Sequence, residues 1–173
     1  MQDHDKKLAA EWRVSFPDED VVMVFTQGNE YEGRISRKLM EGRGIFTWSD
    51  GSSYEGDFTQ GEITGRGKMT FSDLSWYDGE FFRGIRHGNG IYVSYDNDIM
   101  YTGHWFLGNM HGVGTLSFGD KNNNYYTGEF FNGEFHGYGS RQYPSGARYF
   151  GEWWHGVQHG NGTMVFKNFD VSR

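Results

Sequence analysis

The 173-residue chain has no cysteine and only two prolines. Without thiols it can form no disulfide, no zinc–thiolate site and no cysteine nucleophile, a composition that fits a reducing compartment. It also lacks any apolar run near the roughly 20 residues a membrane helix needs. Residues 1–12 lack the apolar stretch of a secretory signal. A cytoplasmic location is the expectation. Positive charge is scarce as well: 16 Lys and Arg stand against 23 Asp and Glu, a net charge of −7. That balance speaks against general affinity for nucleic acid or anionic lipid.

Glycine and rings are in excess. The 27 glycines are about twice the usual share, and aromatics make up 18% of the chain. Glycine with few aromatics would suggest a flexible linker. Glycine with many aromatics suggests tight turns between strands whose burial depends on large flat side chains.

These residues recur in register. Tyr-x-Gly opens a unit at Tyr31, Tyr54, Tyr77, Tyr101, Tyr126 and Tyr149, at intervals of 23, 23, 24, 25 and 23 residues. Eleven residues after each tyrosine comes Gly-x-Gly, from Gly42/Gly44 through Gly112/Gly114 to Gly160/Gly162. A large apolar residue stands four after the tyrosine: Ile35, Phe58, Phe81, Trp105, Phe130 and Trp153. A further glycine stands seven after it in every copy but the first, where Lys38 replaces it.

Each unit reads as two strands. In the first, alternation puts Tyr77, Gly79 and Phe81 on one face. The second runs from Gly-x-Gly through Met69 or Leu116 to a ring such as Trp48, Phe71, Phe118, Tyr143 or Phe166, on the same face. Stretches such as Ser49-Asp50-Gly51-Ser52 and Pro144-Ser145-Gly146 carry turn chemistry. Glycines facing a ring would let it lie flat over bare backbone. So short a strand cannot bury a core alone, so the hairpins must stack edge to edge. The expected fold is all-β: an elongated, single-layer antiparallel meander of about six hairpin repeats. Residues 31–173 form the array and its short tail, and residues 21–30 a half-repeat capping the first edge. Residues 1–20 form an extension in which 6–12 could make a short helix ended by Pro17.

The pattern resembles the MORN (membrane occupation and recognition nexus) repeat family, whose units read roughly Tyr-x-Gly-x-[Phe/Trp]-x-x-Gly-x-x-x-Gly-x-Gly. Residues 101–114 and 126–139 are nearly ideal copies. Departures are Lys38, an extra residue near Tyr95 and an insertion at 122–124, the last two being loop lengthenings a hairpin tolerates. The resemblance implies a hairpin sheet and a non-catalytic scaffold, in cytoskeletal or ciliary (axonemal) assemblies among other settings. It also leaves open a membrane-apposed tether or a regulatory fragment of an enzyme.

Candidate sites divide accordingly. His87, His111, His136 and His159 precede Gly-x-Gly in four copies and read as turn histidines. Equivalent positions two strands apart are roughly 9.6 Å from each other, too far for ligands that must each sit about 2 Å from one zinc ion. Gly65-Arg66-Gly67-Lys68 lacks the spacing of a phosphate loop. Glu32, Glu55, Asp78, Glu129 and Glu152 lie on a solvated strand face with no accompanying nucleophile, so neither catalysis nor a cofactor is expected. The informative position is five after the tyrosine. Ser36 and Thr59 occupy it in the first two units; Phe82, Phe106, Phe131 and Trp154 occupy it in the last four. Alternation sends these rings to the face opposite Phe81 and Trp105, beside Asp78, Glu80, Glu129 and Glu152. They either pack over the following turn or form an apolar, acid-flanked strip for another protein's amphipathic or basic segment. The tyrosine and glycine face is the rival surface.

Overall fold

The computed structural model describes residues 18–95, 98–119 and 123–167; the helix expected at 6–12 lies outside them. Strand β1 (Glu19–Val24) is followed by six hairpins. They are β2 (Glu30–Ser36) with β3 (Leu39–Thr47), β4 (Ser53–Thr59) with β5 (Glu62–Thr70), and β6 (Trp76–Phe82) with β7 (Ile85–Ser94). Then come β8 (Ile99–Phe106) with β9 (Asn109–Phe118), β10 (Tyr125–Phe131) with β11 (Glu134–Gln142), and β12 (Arg148–Trp154) with β13 (Val157–Val165). All 13 strands form one antiparallel sheet in simple chain order. β1 and β13 are its edges, so the sheet is an open meander and not a barrel.

The turn inside each hairpin has two residues, both at positive φ. Asn132 and Gly133 stand at 50° and 87°, and in the first hairpin Arg37 and Lys38 stand at 50° and 67°. This is the type I′ geometry, whose twist matches that of the flanking strands. The glycine seven after the tyrosine is therefore the second turn residue, a position where Lys38 accepts a left-handed backbone.

Gly-x-Gly does not begin the second strand, where the sequence reading put it. It lies inside the second strand at a bulge. Gly79 pairs with Gly90 and Glu80 with His87, so Gly88 and Asn89 have no partner on β6. Gly88 takes φ 59°, and its counterparts Gly42, Gly65, Gly112, Gly137 and Gly160 are also left-handed. Because the bulge inserts two residues, alternation across it is preserved. The faces assigned from parity therefore hold.

The second glycine does different work. Gly114 faces Gly103 on one side and Gly128 on the other, in a column of bare backbone crossing the sheet. The Tyr101 ring lies over it: a Cβ at Gly114 would stand 2.6 Å from Tyr101 Cε2 and Cζ. The hydroxyl donates to the His104 carbonyl at 2.9 Å, as Tyr77 does to Glu80 and Tyr126 to Glu129 at the same length. Two rings stand edge-on against Tyr101, Trp105 of its own hairpin at 5.1 Å and Phe130 of the next at 5.0 Å. Such pairs contribute about 0.5–1.5 kcal/mol each beyond their burial. The result is that Tyr31, Tyr54, Tyr77, Tyr101 and Tyr126 are fully buried in a sheet only one layer thick.

The two glycines should thus fail differently. Gly112→Val meets nothing closer than His104 Cβ at 3.5 Å, so its cost is the left-handed backbone, about 1–2 kcal/mol. Gly114→Val drives a side chain into Tyr101 and should cost more, about 3 kcal/mol. Thermal denaturation of both variants checks this, and a larger loss at Gly112 would refute the packing account.

Burial also pushes the Tyr54 and Tyr77 hydroxyls up to about 12, and raises those of Tyr31, Tyr101 and Tyr126. A hydroxyl whose pKa is higher folded than unfolded supports the fold fully below the unfolded value of 10.0 and loses that support as pH rises to about 12. We expect cooperative unfolding in that interval, with tyrosinate absorbance and strand circular dichroism changing together. Tyrosinate appearing well before strand loss would contradict it.

Candidate functional site: a ladder of phenyl and imidazole rings

Phe82, Phe106, Phe131 and Trp154 end β6, β8, β10 and β12 on the face away from the tyrosines. They are 50%, 46%, 44% and 53% exposed. They do not simply fold over the next turn. Each is separated from the next by a histidine of the intervening strand. Phe82, His87 and Phe106 have successive centroid distances of 5.8 and 5.5 Å; Phe106, His111 and Phe131 follow at 5.6 and 5.4 Å. Phe131, His136 and Trp154 continue at 5.5 and 4.6 Å, and His159 closes the row 6.4 Å from Trp154. Eight rings therefore alternate across the last four hairpins, each tilted against its neighbours.

This corrects the placing of the histidines at turns. His87 is the third residue of β7, opposite Glu80. Only cross-strand register shows that it falls between two phenylalanines. The Nδ1 atoms of His87, His111 and His136 are buried without a hydrogen-bond partner. An unpaired lone pair is cheaper to bury than an unpaired N–H, so the proton belongs on Nε2. The ladder thus combines apolar rings with imidazole donors.

The candidate carboxylates separate into two groups. Glu80, Glu129 and Glu152 lie on the ladder's face, two residues back from Phe82, Phe131 and Trp154. All three already have an intramolecular role, two of them at a bulge. The bulge leaves a backbone N–H without a strand partner, and the carboxylate accepts it: Asn89 donates to Glu80 Oε1 and Tyr138 to Glu129 Oε1, both at 3.1 Å. Asp57 accepts from Arg66 in the same way at 2.9 Å. Glu152 accepts from the Tyr138 hydroxyl at 3.3 Å. Asp78 does not flank the ladder. It lies four residues from Phe82 along β6, roughly 13 Å away, opposite Lys68 of β5.

The MORN repeat family profile matches six consecutive segments: residues 31–53, 54–75, 77–99, 101–122, 126–148 and 149–171. The chain belongs to the MORN repeat family. No curated protein matches it. As a MORN-repeat chain it is a protein-binding module. Among the described residues no group of three or more His, Asp or Glu is arranged to hold a metal ion. His155 Nδ1 meets Glu134 Oε2 at 2.7 Å, an exposed pair beside the ladder's end. No described helix is long and apolar enough to cross a membrane.

The tyrosine side of the MORN sheet, the rival surface, is filled by the chain itself along its middle. Shallow grooves remain beside the ring row, one of about 300 Å³ lined by Met40, Phe46, Trp48, Phe58 and Ile63. Sequence reasoning missed Arg86 on this side. Its guanidinium lies 4.4 Å from the Trp105 ring centre and donates to the Gly108 carbonyl at 3.0 Å. Burial pushes its pKa down. The signal was available, since the equivalent residues are Met40, Ile63, Met110, Phe135 and Gln158, four of them apolar and none charged.

If Glu129 is a bulge acceptor, Glu129→Ala should lower stability by about 1 kcal/mol, with Glu129→Gln retaining part of it. Urea denaturation of the two variants measures this. Unchanged midpoints would return Glu129 to a purely external role.

Proposed function

We propose that this MORN-repeat chain is a structural scaffold of a cytoskeletal assembly, such as a ciliary axoneme, and captures a partner's amphipathic segment on the phenyl–imidazole ladder. The half-exposed row of eight alternating rings carries this reading. A solvated strand face has no need of four large rings at one register position, and Ser36 and Thr59 show that the hairpin forms without them. Contiguous exposed apolar surface of this kind marks interaction sites. Aromatic anchors flanked by polar groups supply most of the binding free energy at such sites. The carboxylates beside the rings suit a partner with basic flanks, and the imidazole N–H groups suit its acceptors. The cytoskeletal and ciliary setting is supported by the family's usual contexts, and the cytoplasmic location by the absence of cysteine.

The test is the double variant Phe106→Ser/Phe131→Ser, assayed for fold by thermal denaturation and for capture from axonemal and whole cytoskeletal extracts. The expected result is a melting temperature within a few degrees of the parent and partner affinity lower by roughly 100-fold or more. Unfolding of the variant would make the rings part of the core and end the docking reading. The membrane-tether reading is examined with the same proteins by flotation with anionic liposomes. With a net charge of −7 no salt-sensitive binding is expected; strong binding would reverse the order of the two readings.

A further inference from the structure

The position nine after each tyrosine packs beside the buried rings, and five of the six copies fill it without charge: Met40, Ile63, Met110, Phe135 and Gln158. Phe135 shows what the place asks for. Its ring stacks on Tyr126 at 3.8 Å and stands edge-on to Trp153 at 5.3 Å. In the third hairpin Arg86 takes that place. Its guanidinium lies 4.4 Å from the Trp105 ring centre, with Tyr92 at 5.5 Å and Tyr77 at 5.9 Å. The rings hold the cation in position, but its partial burial without a counter-charge has a desolvation cost that methionine avoids. A residue that breaks the local rule without a gain in packing points to a role outside the fold.

Arg86 has no counter-charge because none lies on its side of the sheet. By strand alternation every Asp and Glu of β2–β13 falls on the face opposite the tyrosines. The tyrosine face of those strands holds two charged residues: Arg86, opposite Phe81, and Arg141, opposite Tyr126 and Tyr149. The two are employed differently. Arg141 donates to the Gln142 carbonyl at 2.7 Å and to Asn124 Oδ1 at 2.5 Å, against the rings of Phe118 and Tyr143. For Arg86 the Gly108 carbonyl is the one acceptor among the described residues, which leaves most of the guanidinium fork unpaired. A groove of about 350 Å³ opens beside it, lined by Arg86, Tyr92, Ile99, Trp105, Met110 and Leu116, with no carboxylate in its walls.

We propose that this groove is a docking site for an acidic, apolar segment of a second protein. An Asp or Glu carboxylate of that segment pairs with Arg86, and an adjacent aliphatic or aromatic side chain rests against Met110 and Leu116. Charge complementarity selects the occupant. A guanidinium held among rings matches one carboxylate bidentately, and an apolar lining takes the neighbouring side chain. A membrane or phosphate surface needs several cations, and this groove has one. The site is separate from the ladder, and the two faces divide by charge: basic flanks suit the ladder, acidic ones the tyrosine side.

The probe is a random peptide library displayed on phage, selected on the full chain and counter-selected on Arg86→Met. Methionine stands at this position in the first and fourth hairpins, so the variant is expected to fold and to melt at or above the parent temperature. Enriched peptides should carry Asp or Glu beside a large apolar residue. Measured by fluorescence anisotropy, a selected peptide should bind the parent saturably and one to one, and more weakly as salt rises. Its affinity should fall about tenfold or more with Arg86→Met, or when its acid is replaced by the amide. Arg86→Lys keeps the charge without the fork and should fall between. The Phe106→Ser/Phe131→Ser protein should bind the peptide as the parent does, so that failure here and failure at the ladder are read separately. No Arg86-dependent enrichment, enriched peptides without an acid, or a melting temperature several degrees lower in Arg86→Met would overturn the proposal. So would Arg86-dependent flotation with anionic vesicles, or Arg86-dependent self-association in sedimentation, each of which gives the groove a different occupant.

Discussion

A tyrosine ring laid flat on two facing glycines is the interaction from which the rest of this sheet follows. A single-layer sheet has no interior of its own, because its side chains stand up from both faces into solvent. Here the ring lies along the sheet, its hydroxyl reaches a backbone carbonyl three residues on, and two further rings close over it from the side. A core is thereby made within the depth of one side-chain layer. Glycine is required at the paired positions because any Cβ would occupy the ring's place. The 23- to 25-residue spacing is the length of chain needed to bring the next ring into that position.

One consequence is a division of labour between the two faces. The side chains that stabilise the sheet sit on the tyrosine side. The opposite face is therefore free to vary, and it does. It is polar in the first two hairpins, with Ser36 and Thr59, and aromatic in the next four, with Phe82, Phe106, Phe131 and Trp154. The backbone hardly changes between them, since I′ turns and left-handed bulge glycines recur in all six hairpins. The carboxylates Glu80 and Glu129 belong to both domains of this chemistry, facing the ladder while accepting a bulge amide.

Much of this was legible from residues alone, for a physical reason. The tyrosine, glycine and ring positions obey a period of two, and the bulge inserts an even number of residues, so parity assigned Phe81 and Phe82 to the correct faces. Parity could not locate the bulge itself, which is why the histidines before Gly-x-Gly read as turn residues. Nor could it distinguish Glu80 from Asp78, which share a face but lie two residues apart along β6. The interleaving of His87 between Phe82 and Phe106 is a matter of cross-strand register. Register here depends on a turn type and a bulge size that the sequence only implies. Arg86 was legible only by comparing the six copies position by position.

The simple chain order of the strands bears on mechanics. Each strand pairs only with its predecessor and its successor, and the two ends of the array lie on opposite margins of the sheet. A pull between them loads the outermost hairpin before the others, so extension proceeds by peeling one unit at a time, and each released unit can zip back onto the remaining template. Such a chain yields to tension in steps of equal size and recovers when slack returns, a spring-like response available to any filament or sheath into which it is built.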